Sequence, residues 1–244
     1  MKLLKIAPFT YRILLLSASL LVMVSCKGEA SSTAQDTPKQ EAVPPQEKAT
    51  NAAKGIAYFE SGLKAAEENN MPLAYNEFLA GAKEGHMFAQ YNVGLMYEQG
   101  LGISKNAKEA VYWYNQSAKQ GNSAAQFNLG VCYENGLGTS VDFEKANLWY
   151  RKASVQGDGL AVGNLGMLYI RGQGVKINKV AGIALLLVSA TIDTSPENQA
   201  RNNISTTGGL TAAMVTEAQA LSNKMSESNN ILVPLDAYLK TSEN

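Results

Sequence analysis

The feature that most constrains the fold of this 244-residue chain is an internal repeat. Gly85, Gly121 and Gly157 open three similar segments, each of which closes on a Gly-x-Gly pair, so the period is 36 residues. Self-similarity at this length is typical of proteins that stack one supersecondary unit on the next, because a single unit cannot bury its own apolar surface. The sequence therefore predicts a stacked-repeat architecture.

Each repeat divides into two apolar stripes with helical spacing. In the middle copy, Ala125, Leu129 and Tyr133 recur at every fourth residue, and the apolar residues within 146–153 follow an i, i+3, i+4, i+7 pattern. Such stripes are typical of amphipathic α-helices. The intervening residues 134–142 are rich in glycine and short polar side chains, which favours a loop. We therefore expect one pair of antiparallel helices per unit.

Local signals mark the ends of these helices. Gly136 fits the end of the first helix, where a glycine with positive φ is common. Ser123 or Asn122 can cap the first helix, and Asp142 can cap the second. Gly130 lies in mid-helix, where glycine costs about 1 kcal/mol relative to alanine. A close approach of neighbouring helices at Gly130 would offset that cost.

The repeat frame also predicts domain boundaries. We expect Trp113 and Trp149 to fill the gap between neighbouring helix pairs within the repeat domain, residues 53–225. After it, residues 226–244 form a loosely attached tail, although Ile231–Leu235 could dock on the last helices. The expected units lie at about 53–84, 85–120, 121–156 and 157–192, with closing helices over 195–225 that begin at Pro196.

The N-terminal 25 residues favour export. Lys2, Lys5 and Arg12 flank the apolar run 13–24, which is shorter than the roughly 20 residues that span a bilayer. This pattern is typical of a cleaved signal peptide, and a retained membrane anchor is the alternative. Cys26 follows this run and the small residue Ser25, in a segment, Val22–Cys26, that resembles a bacterial lipobox. The resemblance implies that Cys26 is lipidated and that its acyl chains anchor the protein.

Residues 26–52 are then a tether. They are polar and contain Pro38, Pro44 and Pro45, which disfavour a long helix. Lys27 follows the cysteine, and by resemblance to enterobacterial sorting this implies an outer-membrane lipoprotein facing the periplasm. The inner membrane is the alternative location.

The repeat motif resembles a known family. Residues 89–102 and 125–138 both read Ala-Gln-(Tyr/Phe)-Asn-(Val/Leu)-Gly-x-x-Tyr-Glu-x-Gly-Leu-Gly, which is similar to the Sel1-like repeat, a relative of the tetratricopeptide repeat. The resemblance implies an all-α fold, a right-handed α-solenoid of stacked antiparallel helix pairs. The third copy departs from the motif, because Val162 replaces Gln and Ile170 replaces Glu.

The residues offer little for catalysis. His86 is the only histidine, which excludes a histidine pair or a histidine metal cluster, and its place before a helix suggests a structural role. Cys132 falls in a helical stripe and is expected to be a buried free thiol. The formal net charge is zero, which disfavours nucleic-acid binding. We therefore predict no catalytic residue, metal or cofactor.

Two further residues bear on the question of an enzyme. Glu98 and Glu134 match in the repeat frame and could form a pair of carboxylates for acid–base chemistry, but they are more simply repeat-consensus residues. Some secreted Sel1-like proteins are cysteine-rich and linked to β-lactam binding or hydrolysis. Their paired cysteines are missing here, so that activity is not carried over.

The remaining candidate for a functional site is a binding surface on the repeats. By resemblance to tetratricopeptide units, the first helix of each pair lines the concave side and binds an unidentified protein or peptide. The main hypothesis is a monomeric, non-catalytic envelope adaptor, and the alternatives are cell-wall or β-lactam-related activity and a structural periplasmic spacer. The residues expected on the concave face are Phe88, Tyr91, Leu95, Glu98, Phe127, Val131, Glu134, Met167 and Arg171.

Overall fold

The computed structural model describes residues 45–242, and these form helices without a β-strand. The helices are α1 (Pro45–Glu67), α2 (Met71–Lys83), α3 (Met87–Gln99), α4 (Ala107–Lys119), α5 (Ser123–Asn135), α6 (Phe143–Val155), α7 (Gly159–Arg171), α8 (Lys179–Ile192), α9 (Ala200–Thr206), α10 (Ala212–Glu227) and α11 (Leu232–Ser242).

The first eight helices stack as four pairs. Consecutive helices α1 and α2, α3 and α4, α5 and α6, and α7 and α8 pack most extensively on each other. The second helix of each pair also packs on the first helix of the next pair, so α2 contacts α3, α4 contacts α5 and α6 contacts α7. Short loops between packed helices make the pairs antiparallel. This confirms the predicted all-α solenoid of stacked helix pairs.

The ends of α5 and α6 use the predicted residues. Asn122 caps α5, since its Oδ1 accepts a hydrogen bond from the Ala125 amide at 3.0 Å. Asp142 caps α6 by accepting from the Lys145 amide at 2.9 Å. Gly136 follows α5 with φ of +70°, a left-handed conformation that favours glycine. The cap of α5 is therefore Asn122 and not Ser123.

The mid-helix glycines make room for aromatic rings. A Cβ on Gly130 would lie 2.6 Å from the Tyr150 ring, and one on Gly94 would lie equally close to the Tyr114 ring. Both tyrosines are fully buried. The close approach predicted at Gly130 is therefore confirmed.

The tryptophans lie beside this contact rather than in it. Trp149 is buried in the cluster that contains Tyr114 and Leu129, whereas Trp113 is only partly buried and packs edge-to-face on Tyr112. The space opposite the mid-helix glycines is thus filled by the residue after each tryptophan.

The second glycine of each inter-helix loop touches the preceding unit. A Cβ on Gly138 would lie 2.2 Å from the Ala107 carbonyl oxygen at the start of α4. Gly102 approaches Met71 at the start of α2 in the same way. These loops therefore fix the distance between successive units through backbone contacts.

Glutamines of the repeat motif join the units by hydrogen bonds. Gln126 Nε2 donates to the Ala118 carbonyl at 3.1 Å, and its Oε1 accepts from Gln156 at 2.8 Å. Gln90 makes the corresponding pair of bonds one unit earlier. This arrangement satisfies a buried polar side chain and gives the motif glutamine a structural role.

The N-terminal boundary differs from the prediction. Helix α1 already begins at Pro45, within the segment 26–52 predicted as a tether, because proline is tolerated in the first turn of a helix. The rest of the predicted tether, together with Cys26 and the signal segment, lies outside the described residues. No helix of residues 45–242 is both long and apolar enough to cross a membrane.

The C-terminal boundary also differs. The predicted tail 226–244 contains α11, which docks through the buried residues Leu232 and Leu235 and through Arg151 Nη2, which lies 2.6 Å from both carboxylate oxygens of Asp236. Ile231–Leu235 thus lies on the last helices, which is the alternative raised from the sequence.

The closing helices cover the end of the stack. Helix α8 is buried almost all round, because α7 and α10 pack on it. Helix α9 begins at Ala200 and not at Pro196. The reason is Asn198, whose Nδ2 donates to the carbonyls of Ser189 and Asp193 and ties residues 193–198 into a turn.

Candidate functional site

The nine residues predicted on the concave face lie on α3, α5 and α7. We use the term first-helix face for the side of α3, α5 and α7 on which these residues lie, together with the equivalent side of α1. Seven of the nine are partly buried, and Glu98 and Arg171 are exposed. Tyr91 and Leu95 pack against one core cluster, and Phe127, Val131 and Met167 pack against another. Their role in binding remains a prediction.

An aromatic row crosses this face. We define the aromatic row as Phe59, Tyr91 and Phe127, each of which lies three residues before a helical glycine and is partly buried. Every ring of the row packs on a buried ring from the second helix of its own pair. The pairs are Phe59–Phe78 (5.8 Å between centroids, 42°), Tyr91–Tyr114 (6.0 Å, 37°) and Phe127–Tyr150 (6.0 Å, 38°).

Phe59 is the member of this row that sequence reasoning missed. The first helix pair has a shorter connection, Glu68–Asn70, so its first helix is offset from the next one by 32 residues and not by 36. The signal that points to Phe59 is Gly62, the helical glycine three residues after it. A Cβ added to Gly62 would lie 2.5 Å from the Phe78 ring, just as a Cβ added to Gly94 would lie close to the Tyr114 ring.

A carboxylate borders the row on α5. The buried Tyr150 hydroxyl donates a 2.7 Å hydrogen bond to Glu134 Oε2. Asn164 on α7 donates to the same hydroxyl at 3.1 Å. Burial, followed by the charge of Glu134, raises the pKa of Tyr150 far above its usual range, so the hydroxyl keeps its proton.

The same arrangement occurs one unit earlier. The Tyr114 hydroxyl donates to Glu98 Oε2 at 2.7 Å, and Asn128 takes the place of Asn164 beside it. Burial and the neighbouring carboxylate also raise the pKa of Tyr114. Glu98 and Glu134 are therefore held in corresponding positions by phenols that stay protonated.

The outer units lack this arrangement. Phe78 and Leu186 pack at the glycines where Tyr114 and Tyr150 pack in the middle units, and neither carries a hydroxyl. Ile170 stands where Glu134 stands one unit earlier. The helix pairs thus stack without the hydroxyl and the carboxylate, so packing alone does not require them.

Arg171 is the cation nearest to Glu134 on this face. Its Nη1 lies 4.0 Å from Glu134 Oε1, and about half of the Arg171 side chain is exposed. The arginine end of this pair is open to solvent, so the pair contributes about 0–1 kcal/mol. The Glu134 side chain is only 16% exposed and already accepts the Tyr150 hydrogen bond.

His86 and Cys132 have structural surroundings. His86 caps α3, since its Nδ1 accepts from the Ala89 amide at 3.2 Å, and its ring packs 4.6 Å from that of Phe59. Burial lowers the pKa of His86, although the charge of Glu60 opposes this. Cys132 is a buried free thiol, and burial raises its pKa to about 12. Both findings agree with the roles predicted for these residues.

The described residues offer no other concentrated site. Within residues 45–242 no group of three or more His, Cys, Asp or Glu side chains is placed to hold a metal ion. A cleft of about 230 Å³ lies between Tyr169, Ile177 and Leu239. It is smaller than the roughly 300–1,000 Å³ typical of pockets for drug-sized ligands.

Comparisons with known proteins agree with this geometry. The Sel1 repeat family model matches residues 88–122, 123–158 and 160–191. A Sel1 repeat protein from Oxalobacter formigenes is 28% identical with a TM-score of 0.57, and the match covers 72% of this chain and 75% of that one.

A second solved structure is a protective antigen present in uropathogenic Escherichia coli strains and displaying an SLR fold. It is 26% identical with a TM-score of 0.47, and the match covers 79% of this chain and 49% of that one. No curated protein matches the chain. The three segments matched by the Sel1 repeat model coincide with the pairs α3–α4, α5–α6 and α7–α8, which carry most of the first-helix face. The chain thus contains three Sel1 repeats within an all-α solenoid.

Proposed function

We propose that this protein is a non-catalytic scaffold of the bacterial cell envelope that binds a partner protein on its first-helix face. Sel1 repeat proteins are generally protein-interaction scaffolds, and this coarse role is the starting point. The observation that carries the finer proposal is the aromatic row. Phe59, Tyr91 and Phe127 lie at equivalent positions of successive units and are only partly buried.

The rings of the row are suited to binding because they are held in place. Each packs on a buried ring about 6 Å away, so little side-chain freedom is lost when a partner covers it. Rigid aromatic anchors are enriched among the residues that contribute most to protein interfaces. The aromatic row therefore supports a binding surface that is formed before the partner arrives.

The same face carries charge beside its apolar strip. Glu98 is exposed and Glu134 is partly buried, and each is positioned by a tyrosine hydroxyl at 2.7 Å. Charged residues at the edge of an apolar contact contribute to specificity and to the rate of association more than to affinity. The partner on this account presents an apolar segment flanked by basic groups.

Anchoring to the membrane is a second part of the proposal. The lipobox-like segment that ends at Cys26 supports a lipid on this residue, and two acyl chains suffice for stable attachment. On this proposal the repeat domain projects from the outer membrane into the periplasm and acts as a monomer. The inner membrane and a purely structural spacer remain the competing outcomes of the experiments below.

Site-directed photocrosslinking in intact cells tests the binding face. Benzoylphenylalanine replaces Phe127 in one variant, Tyr91 in a second and Tyr112 in a control, since the Tyr112 side chain on α4 is 52% exposed and is not part of the first-helix face. The proposal predicts the same discrete adduct from positions 91 and 127 and none from position 112.

The opposite pattern would remove the proposal. If irradiation yields an adduct at position 112 alone, the partner binds elsewhere on the solenoid. If no position yields an adduct while the protein is folded and exported, the result favours the hypothesis of a purely structural spacer over a binding scaffold. Incubation of the purified protein with nitrocefin and peptidoglycan fragments addresses enzymatic activity, and turnover would contradict the non-catalytic role.

Metabolic labelling with palmitate tests the anchor. We expect the label to be incorporated into the wild-type chain and to be lost in the Cys26→Ser variant, with Cys132→Ser as the matched control. Labelling that persists in Cys26→Ser would show that the lipid is attached elsewhere. Separation of inner and outer membranes then distinguishes the two locations.

A further inference from the structure

The first-helix face contains three junctions between successive first helices. Helix α1 packs on α3 and α5 packs on α7, but no comparable packing joins α3 and α5. We use the term α3–α5 junction for this middle one, which is bordered by Tyr91 and Glu98 on α3 and by Ala124 and Asn135 on α5. The residues at the equivalent positions of the outer junctions show what a filled junction contains.

The first difference lies at the end of the junction where α5 begins. In the α1–α3 junction Phe88 packs on Phe59, with 6.1 Å between the ring centroids. The equivalent residues of the α3–α5 junction are Tyr91 and Ala124, so a methyl group stands where Phe88 places a ring. The α5–α7 junction carries Leu160 at that position. The middle junction therefore has the smallest side chain of the three.

The second difference lies at the end of the junction where α5 ends. In the α5–α7 junction Arg171 Nη1 lies 4.0 Å from Glu134 Oε1. The equivalent residues of the α3–α5 junction are Glu98 and Asn135, and Asn135 donates its amide to a carbonyl of its own helix at 3.1 Å. Glu98 is exposed and forms no ion pair among the described residues. The middle junction thus keeps the carboxylate and lacks the arginine.

The two oxygens of the Glu98 carboxylate differ in their surroundings. The Tyr114 hydroxyl donates to Oε2 at 2.7 Å, as the Tyr150 hydroxyl does to Oε2 of Glu134. On Glu134 the other oxygen, Oε1, is the one that Arg171 approaches. By this correspondence Oε1 of Glu98 is the acceptor for an incoming cation. Arginine suits such a carboxylate because its planar guanidinium carries several donors and is weakly hydrated.

We propose that the partner docks in the α3–α5 junction, where it places an arginine guanidinium on Glu98 and a large apolar side chain beside Tyr91 and Ala124. These two side chains take the places that Arg171 and Phe88 occupy in the outer junctions. This inference rests on the proposed function, because it specifies which part of the first-helix face binds and what the partner presents there.

The two contacts lie at opposite ends of the junction. Ala124 and Asn135 are eleven residues apart on α5, which corresponds to about 16 Å along the helix. A large apolar side chain that becomes buried contributes mainly to affinity, whereas a charge at the edge of an interface contributes mainly to specificity and to the rate of association. The apolar end therefore holds the partner, and the Glu98 end selects it.

Denaturation of the full-length protein tests whether the apolar end is open. Ala124→Phe introduces the residue type that Phe88 supplies in the α1–α3 junction, so we expect an unchanged urea midpoint. Ala125→Phe is the matched control, because Ala125 is fully buried and overpacking a filled core destabilises the fold. Its midpoint should fall clearly. An equal fall in Ala124→Phe would show that the junction is already filled and would overturn the inference.

Photocrosslinking tests whether filling the junction excludes the partner. Benzoylphenylalanine at position 91 is combined with Ala124→Phe and Asn135→Arg, which copy the outer junctions. We expect at least a tenfold loss of the adduct, in keeping with the loss of an anchoring pocket. The matched control adds the same side chains away from this face, as Leu148→Phe with Tyr112→Arg, since both positions are about half exposed on α6 and α4. Its adduct should equal that of the unfilled protein.

The arginine contact has a separate test. Glu98→Gln keeps an oxygen acceptor for the Tyr114 hydroxyl and removes the charge, and it should lower the adduct at position 91 about two- to fivefold. Mass spectrometry of the adduct should find an arginine in the partner peptide that is crosslinked. Exchange of this arginine for glutamate should abolish the adduct, and Glu98→Arg should then restore it.

The outcomes separate this inference from the proposed function. If adducts form at positions 91 and 127 and persist in the filled variant, the first-helix face binds and the α3–α5 junction is not the site. An adduct that is insensitive to Glu98→Gln, or a crosslinked peptide without arginine, would overturn the proposed partner chemistry. If the unfilled protein gives no adduct at either position, the proposed function falls and this inference falls with it.

Discussion

Gly130 and Tyr150 are in contact at a distance that leaves no room for a side chain on the glycine. A Cβ at position 130 would lie 2.6 Å from ring carbons of Tyr150, well inside van der Waals contact. Because the ring is fully buried, a Cβ at position 130 could be accommodated only if this packed ring shifted. The glycine in the middle of α5 is therefore required by its partner on α6.

Replacement of this glycine should destabilise the protein. Gly130→Ala gains about 1 kcal/mol in helix propensity, but overpacking a buried contact costs about 1–3 kcal/mol. We expect a net loss of about 1 kcal/mol in the free energy of unfolding, measured by urea denaturation. Tyr150→Ala removes the clash, so the double variant should lose less than the sum of the single variants. Strict additivity would contradict the contact.

Gly138 should be more sensitive than Gly130. Its φ is +70°, and its Cβ would meet the Ala107 backbone at 2.2 Å, which cannot yield as a side chain can. Gly121→Ala is the matched control, since φ is +101° there but nothing lies within 4 Å. We expect Gly121→Ala to cost about 1–2 kcal/mol from backbone strain alone, and Gly138→Ala to cost clearly more. Equal losses would show that the contact between units contributes nothing.

The hydroxyl of Tyr150 should contribute measurably to stability. Tyr150→Phe removes the donor to Glu134 and the acceptor for Asn164 while keeping the ring, as Phe78 does in the first unit. A hydrogen bond to a charged group contributes about 1.5–3 kcal/mol, and partial exposure of Glu134 reduces this. We expect a loss of about 1 kcal/mol by denaturation, against no change in Tyr112→Phe, whose ring is exposed.

His86 should make stability dependent on pH. Burial lowers its pKa in the folded state, so protonation favours the unfolded chain, and the protonated ring can no longer accept from the Ala89 amide through Nδ1. Stability is therefore fully present above the ordinary histidine pKa of about 6.5 and falls as the pH drops towards the lowered value. We expect a loss of about 1 kcal/mol between pH 7.5 and 5.5, the usual contribution of a cap.

The control for this effect exists in the next repeat. Asn122 caps α5 in the equivalent position and does not titrate. His86→Asn should keep the cap and flatten the dependence of stability on pH over this range. A variant that retains the full slope would assign it to another group.

Much of the fold could be predicted from the sequence because its signals are local and repeated. Gly136, Asn122 and Asp142 each act within one turn of a helix, so their residue types indicate their roles. The 36-residue period then predicts the position of every unit whose two helices are joined by a loop of the same length. The first pair breaks this rule through its short Glu68–Asn70 turn, so the 36-residue period does not point to Phe59.

Features that depend on contacts between units were harder to predict. The role of Gly138 depends on the Ala107 backbone one unit earlier, which no local pattern reveals. Helix α11 docks through Arg151 and Asp236, residues 85 positions apart. The repeat pattern identifies the glutamates as repeat-consensus residues, but it does not show that tyrosines on α4 and α6 hold them, because those contacts form only when the helices pack.

The central claim is that the aromatic row binds the partner, and the most direct test measures affinity. The partner identified by crosslinking would be titrated calorimetrically into wild-type protein and into the Tyr91→Ala, Phe127→Ala and Tyr112→Ala variants. The account predicts at least tenfold weaker binding for the first two and unchanged binding for Tyr112→Ala. Wild-type affinity in both row variants, with their folds intact, would contradict it.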